Sequence, residues 1–496
     1  MITCDFEKRG NNTLCESVYQ TIKQAILSEE LKPNEKLPSK RALATHLGVS
    51  VITVANAYGQ LIDEGYIYSA ERRGFYVTDL ADFTVRVSSR KSLDVEKNQQ
   101  ENGSFNVKTP VNKPNNQNLT KNIIADFNSN STGYEKFPFS LWSHILRDVL
   151  NKPHEALLKS VPAKGIFELR SEIAAYLKRF RNVSVEPEQI VVGAGTEYLY
   201  NLVVQLLGRK QLYAVENPGY NKTSKIITLN GASCIPVPID IYGLSIEKLK
   251  QTTATVAHVS PSHHFPTGIV MPVRRRQELL AWAEDAPAGT KRYIIEDDYD
   301  SEFRFNGKPL PLLFNTDGNQ SVIHINTFSK TLSPSFRISY MVLPHDLLPV
   351  FEEKFSFCSC TVSVFEQYAL AAFMKNGYYE KHLIRMKNYY RNLRNSLILA
   401  LNKSPLASCT EIHEENAGLH FLLSFKTEID GKEIKKRLLQ NGIIAPMLSE
   451  YFDKSNDESF SSDFPDKDKT FVINYSGIKK EAVSEIIDKM SDVILK

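Results

Sequence analysis

No apolar stretch in this 496-residue chain approaches the roughly 20 residues that a bilayer-spanning helix needs, and its start lacks the basic-then-apolar pattern of an export signal. A membrane-spanning helix is thereby excluded, and the cytoplasm is the expected compartment. Cysteine is sparse: Cys4, Cys15, Cys234, Cys358, Cys360 and Cys409 include no Cys-x-x-Cys, so neither a disulfide framework nor a zinc or dithiol site is indicated. The close pair Cys358 and Cys360 reads as packing. An excess of one charge is missing too. The net charge is +3, and residues 1–80 hold nine Lys/Arg against ten Asp/Glu. Any nucleic-acid surface must therefore rest on local clusters. No internal repeat is visible. The remaining composition, 42% apolar and 24% charged, excludes collagen-like and wholly disordered classes.

A chain this long exceeds one ordinary core, so it should divide. Residues 79–121 are poor in large apolar side chains and rich in Asn, Gln, Lys and Ser, with Asn112-Lys113-Pro114-Asn115-Asn116-Gln117-Asn118 as their extreme. They read as a flexible linker between a module at 1–78 and a body at 122–496.

In the first module, Leu14, Val18, Ile22, Ala25 and Ile26 recur at helical spacing. Ser39 caps a second helix that turns Leu43 and Leu47 inward and stops at Gly48, and Ser50 caps a third. That third helix faces the core with Val54, Tyr58 and Leu61 and carries a polar stripe of Ser50, Thr53, Asn56 and Gln60. Tyr66–Ser69 and Gly74–Val77 then alternate as two short strands around Glu71-Arg72-Arg73, forming a wing. The short polar side chains suit a major groove, and Lys40, Arg41, Arg72 and Arg73 suit the flanking phosphates, with Ser39 beside them. The module resembles the GntR-type winged helix in Pro38-Ser39-Lys40-Arg41, Val49-Ser50-Val51-Ile52-Thr53-Val54, Ala57-Tyr58-Gly59-Gln60-Leu61 and Glu64-Gly65. Many members carry Arg where this chain has Val51, which implies a different operator sequence.

The body pairs short, unalternated apolar runs with polar loops: Gly193-Ala194-Gly195-Thr196, Glu216 to Tyr220, Ser260 to Gly268, Glu296 to Asp300, and Thr327-Phe328-Ser329-Lys330. Such runs imply a parallel sheet covered on both faces, with ligands bound beyond the carboxyl ends of its strands. Gly195 and Thr196 open a helix whose free amides favour an anion. With Asp297 at a strand end and Arg337 beyond Lys330, these residues supply what pyridoxal phosphate requires. Lys330 carries the cofactor covalently, Asp297 pairs with the ring nitrogen, and Arg337 holds the phosphate with Thr327, Ser329, Gly195 and Thr196. Tyr299 is placed to hydrogen-bond the ring hydroxyl and Tyr220 to stack on the ring. His263 and His264 have no third ligand at useful spacing, so they read as structural and no metal is expected.

Residues 122–496 resemble a fold-type I aminotransferase, above all in Ile294 to Phe303, Thr327 to Leu332 with Arg337, and Asn416-Ala417-Gly418-Leu419-His420. Together with the winged helix, the chain resembles the MocR/GabR-type regulators. That resemblance implies a winged helix-turn-helix joined to an α/β aminotransferase-like domain in a head-to-tail homodimer. It further implies pyridoxal phosphate on Lys330 and operator DNA with repeated half-sites. Aminotransferases hold the substrate carboxylate with an Arg in a strand resembling Phe471 to Tyr475, where this chain places Val472. The branch sensing 4-aminobutyrate has an Arg where Glu450 stands, while a second basic position is kept as Lys222, a candidate effector contact. Val49 to Val54 resembles the branch that regulates vitamin B6 synthesis. The expected function is thus a transcriptional regulator sensing the cofactor or an amino compound. The rival is a working aminotransferase with an accessory DNA-binding module.

Overall fold

The computed structural model describes residues 13–28, 30–70, 74–78, 123–128, 136–151, 155–305, 310–317, 320–414, 418–453, 464 and 466–495. The expected linker at 79–121, along with Arg72, Arg73, Asn416 and Ala417, lies outside them.

The first module contains helices α1 (Leu14–Leu27), α2 (Lys40–Leu47) and α3 (Val51–Asp63), and a small sheet of β1 (Lys36–Leu37), β2 (Ile67–Ala70) and β3 (Gly74–Val77) in the order β1-β3-β2. Local chemistry sets the boundaries. Thr13 and Glu16 form a reciprocal capping box at the start of α1, the Ser39 side chain accepts from the Ala42 amide, and Gly48 ends α2 with φ 65°, where a Cβ is disfavoured. Val18, Ile22, Leu43, Val54, Tyr58 and Leu61 make one buried core. Two expectations need correction. Leu14 lies at the solvent-exposed start of α1, and Gln60 leaves the polar stripe to lie buried, donating to Glu64 at 3.0 Å. There Glu64 also accepts from Tyr19 at 2.7 Å and Lys23 at 3.3 Å, a polar knot that holds α1 to α3.

The body is built on an eight-stranded sheet of β5 (Ile190–Gly193), β6 (Leu212–Asn217), β7 (Ser233–Asp240), β8 (Gly243–Leu244), β9 (Val256–Val259), β10 (Tyr293–Asp297), β11 (Val322–Thr327) and β12 (Ser339–Val342). Two other strands lie elsewhere in the body, β4 (Ala125–Asp126) and β15 (Ile443–Ile444), paired in parallel. The sheet order is β5-β12-β11-β10-β9-β6-β7-β8. It is not wholly parallel: β12 runs against β11 and β5, and β8 against β7. The segment 328–338 is too short for the helical crossover that a parallel return requires, so β12 folds straight back on β11. Burial on both faces explains the unalternated runs. Ile190, Val192, Tyr340 and Val342 enter one core, while Val191, Met341, Ile323 and Ile325 enter another.

A smaller antiparallel sheet of β13 (Thr410–His413), β14 (His420–Phe425) and β16 (Thr470–Asn474) packs on helices Tyr378–Lys403, Gly431–Gln440 and Val483–Leu495 through Phe421, Leu423, Ile434, Phe471 and Ile487. The winged-helix module touches the body at Val273, whose amide donates to the Glu64 carbonyl at 2.8 Å and whose side chain joins the module's core. Among the described residues, no helix is long and apolar enough to cross a membrane.

Candidate functional site

Strands β5, β6, β9, β10 and β11 point the same way, so the loops after them gather at one edge around a cleft of about 180 Å³. Thr196, Tyr220, Lys222, Asp297, Tyr299, Thr327, Ser329, Lys330 and Arg337 all line it, and Gly195 stands directly behind Arg337.

Lys330 sits within the turn that follows β11. Burial pushes its ammonium down to about 8, against the upward pull of Asp300 and then Asp297. Near neutrality an appreciable fraction is therefore a neutral, nucleophilic amine. Alternation at the end of β10 distributes three successive carboxylates. Glu296 accepts from the Leu313 and Phe314 amides at 2.7 and 3.2 Å, and Asp298 pairs with buried Arg181 at 2.9 Å, which, with His324, holds it below the usual carboxylate range against its burial. Asp297 faces the cleft. Its Oδ2 accepts from Tyr200 at 2.7 Å, and Tyr200 lies 2.7 Å from His258 Nε2. Tyr200 has one proton to give, so His258 contributes an Nε2–H to it. Asp297 Oδ1 is buried and has no hydrogen-bond partner among the described residues.

The other end of the cleft suits an anion. Gly195, at φ 89°, precedes the helix Thr196–Leu207, whose start has no side-chain cap, so its first amides are available. A Cβ on Gly195 would lie 2.8 Å from Arg337 Cζ, so only glycine admits the guanidinium there. Arg337 has left-handed backbone (φ 49°) and donates to Glu197 at 2.9 Å. Ser329 Oγ is buried without a partner among the described residues. Thr327 has a different employment: its hydroxyl accepts from Ser339 at 2.8 Å and from the Ser329 amide at 3.1 Å, bracing the turn that presents Lys330.

Tyr299 is 3.1 Å from His263 Nδ1, and Tyr220 meets Phe265 edge-on at 5.8 Å. Sequence spacing hid a buried trio. His263, Asp300 and His420 bring one ligand-type atom each within 4.8 Å, although they lie on three separate loops or strands. Asp300 accepts from His263 at 3.0 Å and from the Leu419 amide at 3.2 Å, while burial keeps His420 neutral far below its usual range. Tyr200, His258, Glu197, Asp300 and Asn474 are further site residues that sequence reasoning missed. Only Tyr200 and Glu197 had a signal, since they sit on the helix that Gly195 opens. Val472 is buried beside Leu422 and Leu448, and Glu450 takes an ion pair from Lys435 at 2.6 Å.

On the first module, Ser50 caps α3 by accepting from the Thr53 amide at 3.0 Å and lies 2.8 Å from the Thr53 hydroxyl. Ser39 and Ser50 thus shape the helix starts. Arg41, Asn56 and Ile52, the last 72% exposed, stand on the open face, while the Lys40 ammonium lies 5.0 Å over the Phe75 ring.

Residues 14–77 match the gntR family of bacterial regulatory proteins, and residues 126–453 match aminotransferase class I and II. The chain is 34% identical to the uncharacterized HTH-type transcriptional regulator YdeL of Bacillus subtilis, over 96% of each chain. It is 30% identical to the HTH-type pyridoxine biosynthesis transcriptional regulator PdxR of Corynebacterium glutamicum, over 88% of each. Among solved structures, the multiple substrate aminotransferase of Thermococcus profundus superposes with a TM-score of 0.65 at 22% identity, covering 76% of this chain and 92% of that one, a likeness of fold.

Proposed function

Because this chain belongs to the GntR-family transcriptional regulators that carry an aminotransferase class I and II domain, we propose that it senses pyridoxal phosphate, or an amino compound that meets it, in the cleft around Lys330. The response is read out as a change in operator binding by α2, α3 and the wing.

The observation that carries this reading is the pair of buried oxygens without a hydrogen-bond partner among the described residues, Asp297 Oδ1 and Ser329 Oγ, in the cleft that also holds Lys330. Buried polar atoms without partners cost about 1–3 kcal/mol each, so a ligand that satisfies both is favoured. A protonated ring nitrogen answers Asp297, and a phosphate answers Ser329, Arg337 and the amides at Thr196. When bound, the cofactor supplies an electron-withdrawing ring to which an amine is attached. The chain supplies the rest. Lys330 offers an amine whose proton burial loosens, Tyr200 and His258 fix the orientation of Asp297, and Tyr299, 3.1 Å from His263 Nδ1, would serve the ring hydroxyl. Lys222 lines the same cleft and is proposed as the contact for an amino-compound effector; through its ion pair with Glu197 beside Arg337 it also belongs to the cleft's anion end.

Regulation is then a shift in population between two arrangements of body and heads in a homodimer, and hence in whether both heads reach half-sites about 34 Å apart or multiples of that. Operator affinity measured at fixed salt with and without added pyridoxal phosphate tests this. A shift is expected; an affinity indifferent to the cofactor rejects it.

A further inference from the structure

The anion end of the cleft contains an anion of the chain's own. Glu197 uses both oxygens: Oε2 lies 2.9 Å from Arg337 and Oε1 lies 3.6 Å from Lys222. A carboxylate in the first turn of a helix is ordinary, because it complements the helix dipole. That role does not require it to engage two cations of one cleft, reached from residue 222 and residue 337. All three side chains are about half exposed, at 51% for Glu197, 47% for Arg337 and 60% for Lys222. Ion pairs of that exposure break at little cost, so the carboxylate is displaceable.

We propose that Glu197 is a built-in competitor for the phosphate subsite, which holds Arg337 and Lys222 against the cofactor phosphate and so loosens cofactor binding. The charge balance gives the reason. A phosphate monoester brings between about one and a half and two negative charges. The two cations alone present +2 to it; with Glu197 they present +1. A dedicated enzyme gains from holding its cofactor tightly, whereas a sensor of cofactor level needs affinity low enough to empty. The inference deepens the cofactor-sensing reading and rests on it for its biological purpose, though its physical content is separate.

The test is a pair of spectroscopic titrations of full-length protein, wild type and Glu197→Gln, one with pyridoxal phosphate and one with phosphate-free pyridoxal. Glutamine keeps the shape and removes the charge. The expected result is pyridoxal phosphate binding tightened about two- to thirtyfold, the combined worth of two exposed ion pairs, with pyridoxal affinity unchanged. Equal or weaker pyridoxal phosphate binding overturns the proposal, because Glu197 then helps to hold Arg337 in place. Equal tightening of both ligands also overturns it, because the effect then lies outside the phosphate subsite. Operator binding measured on the same samples separates the two ideas: if the affinity gain appears while cofactor leaves DNA binding untouched, the sensing reading fails and the competitor stands.

Discussion

Replacing Gly195 by alanine isolates the contribution of the cofactor phosphate, and two separable costs follow from the geometry. The first is conformational. Gly195 has φ 89° and ψ 164°, a region that essentially only glycine adopts, and holding an L-residue there costs about 1–3 kcal/mol, which lowers folding stability by that amount. The second falls on the ligand. The new methyl group would lie 2.8 Å from Arg337 Cζ, closer than such contacts permit, and the obstructing atoms are the far end of a flexible side chain. Arg337 therefore swings aside at little further cost to the fold, and its charge-assisted contact with the phosphate, worth about 1.5–3 kcal/mol, is lost. That loss corresponds to about 10- to 150-fold weaker pyridoxal phosphate binding. Absorbance titration measures the affinity and thermal unfolding measures the stability. Phosphate-free pyridoxal serves as control, because its affinity should barely change. Pyridoxal phosphate affinity within threefold of wild type, or an equal loss for pyridoxal, refutes the assignment of the phosphate end to Gly195 and Arg337.

Capture of pyridoxal phosphate by Lys330 should accelerate as pH rises through about 8, where the buried amine is half deprotonated, and level off above it; Asp300→Asn should move that midpoint to lower pH, since Asp300 is the largest influence raising the value, and stopped-flow absorbance follows both. Glu216 is pushed up to about 8 by burial, while an unfolded glutamate ionises near 4.5, so the folded state keeps a proton that the unfolded state gives up and stability declines as pH rises through that window. Glu216→Gln should remove the decline, by at most roughly 4–5 kcal/mol above pH 8, and denaturant melts at pH 6 and 9 should show the larger gain at pH 9. Asn56→Ala should weaken binding to the specific operator by about 1–3 kcal/mol, whereas Lys40→Ala should weaken all duplexes alike and reduce the salt slope by about one; mobility shifts across a salt series distinguish the two.

Much of this site was legible because its chemistry is carried by short local segments. Gly193 to Thr196 announces a strand, a turn and a helix start, and Thr327 to Lys330 announces a lysine after a buried strand, since the residue types themselves impose those conformations. The caps Ser39 and Ser50 were legible for the same reason. What failed were statements about faces and partners. Gln60 has a spacing that suits an exposed stripe, yet it turns inward because Glu64 is buried beside it. The sheet reads as parallel strand by strand, and β12 breaks the pattern because the return from β11 is too short to cross over.

Sequence alone therefore determined the two modules, the local conformations and the residue types available for anion, amine and ring-nitrogen chemistry, because each depends on neighbours within a few positions. Tertiary structure decided where the carboxylates on either side of Asp297 go, Glu296 to the Leu313 and Phe314 amides and Asp298 to buried Arg181. It also joined His263, Asp300 and His420, and set Glu197 between Arg337 and Lys222. Those are pairings across tens to hundreds of residues, fixed by how the sheet edge closes and not by any local preference of the chain.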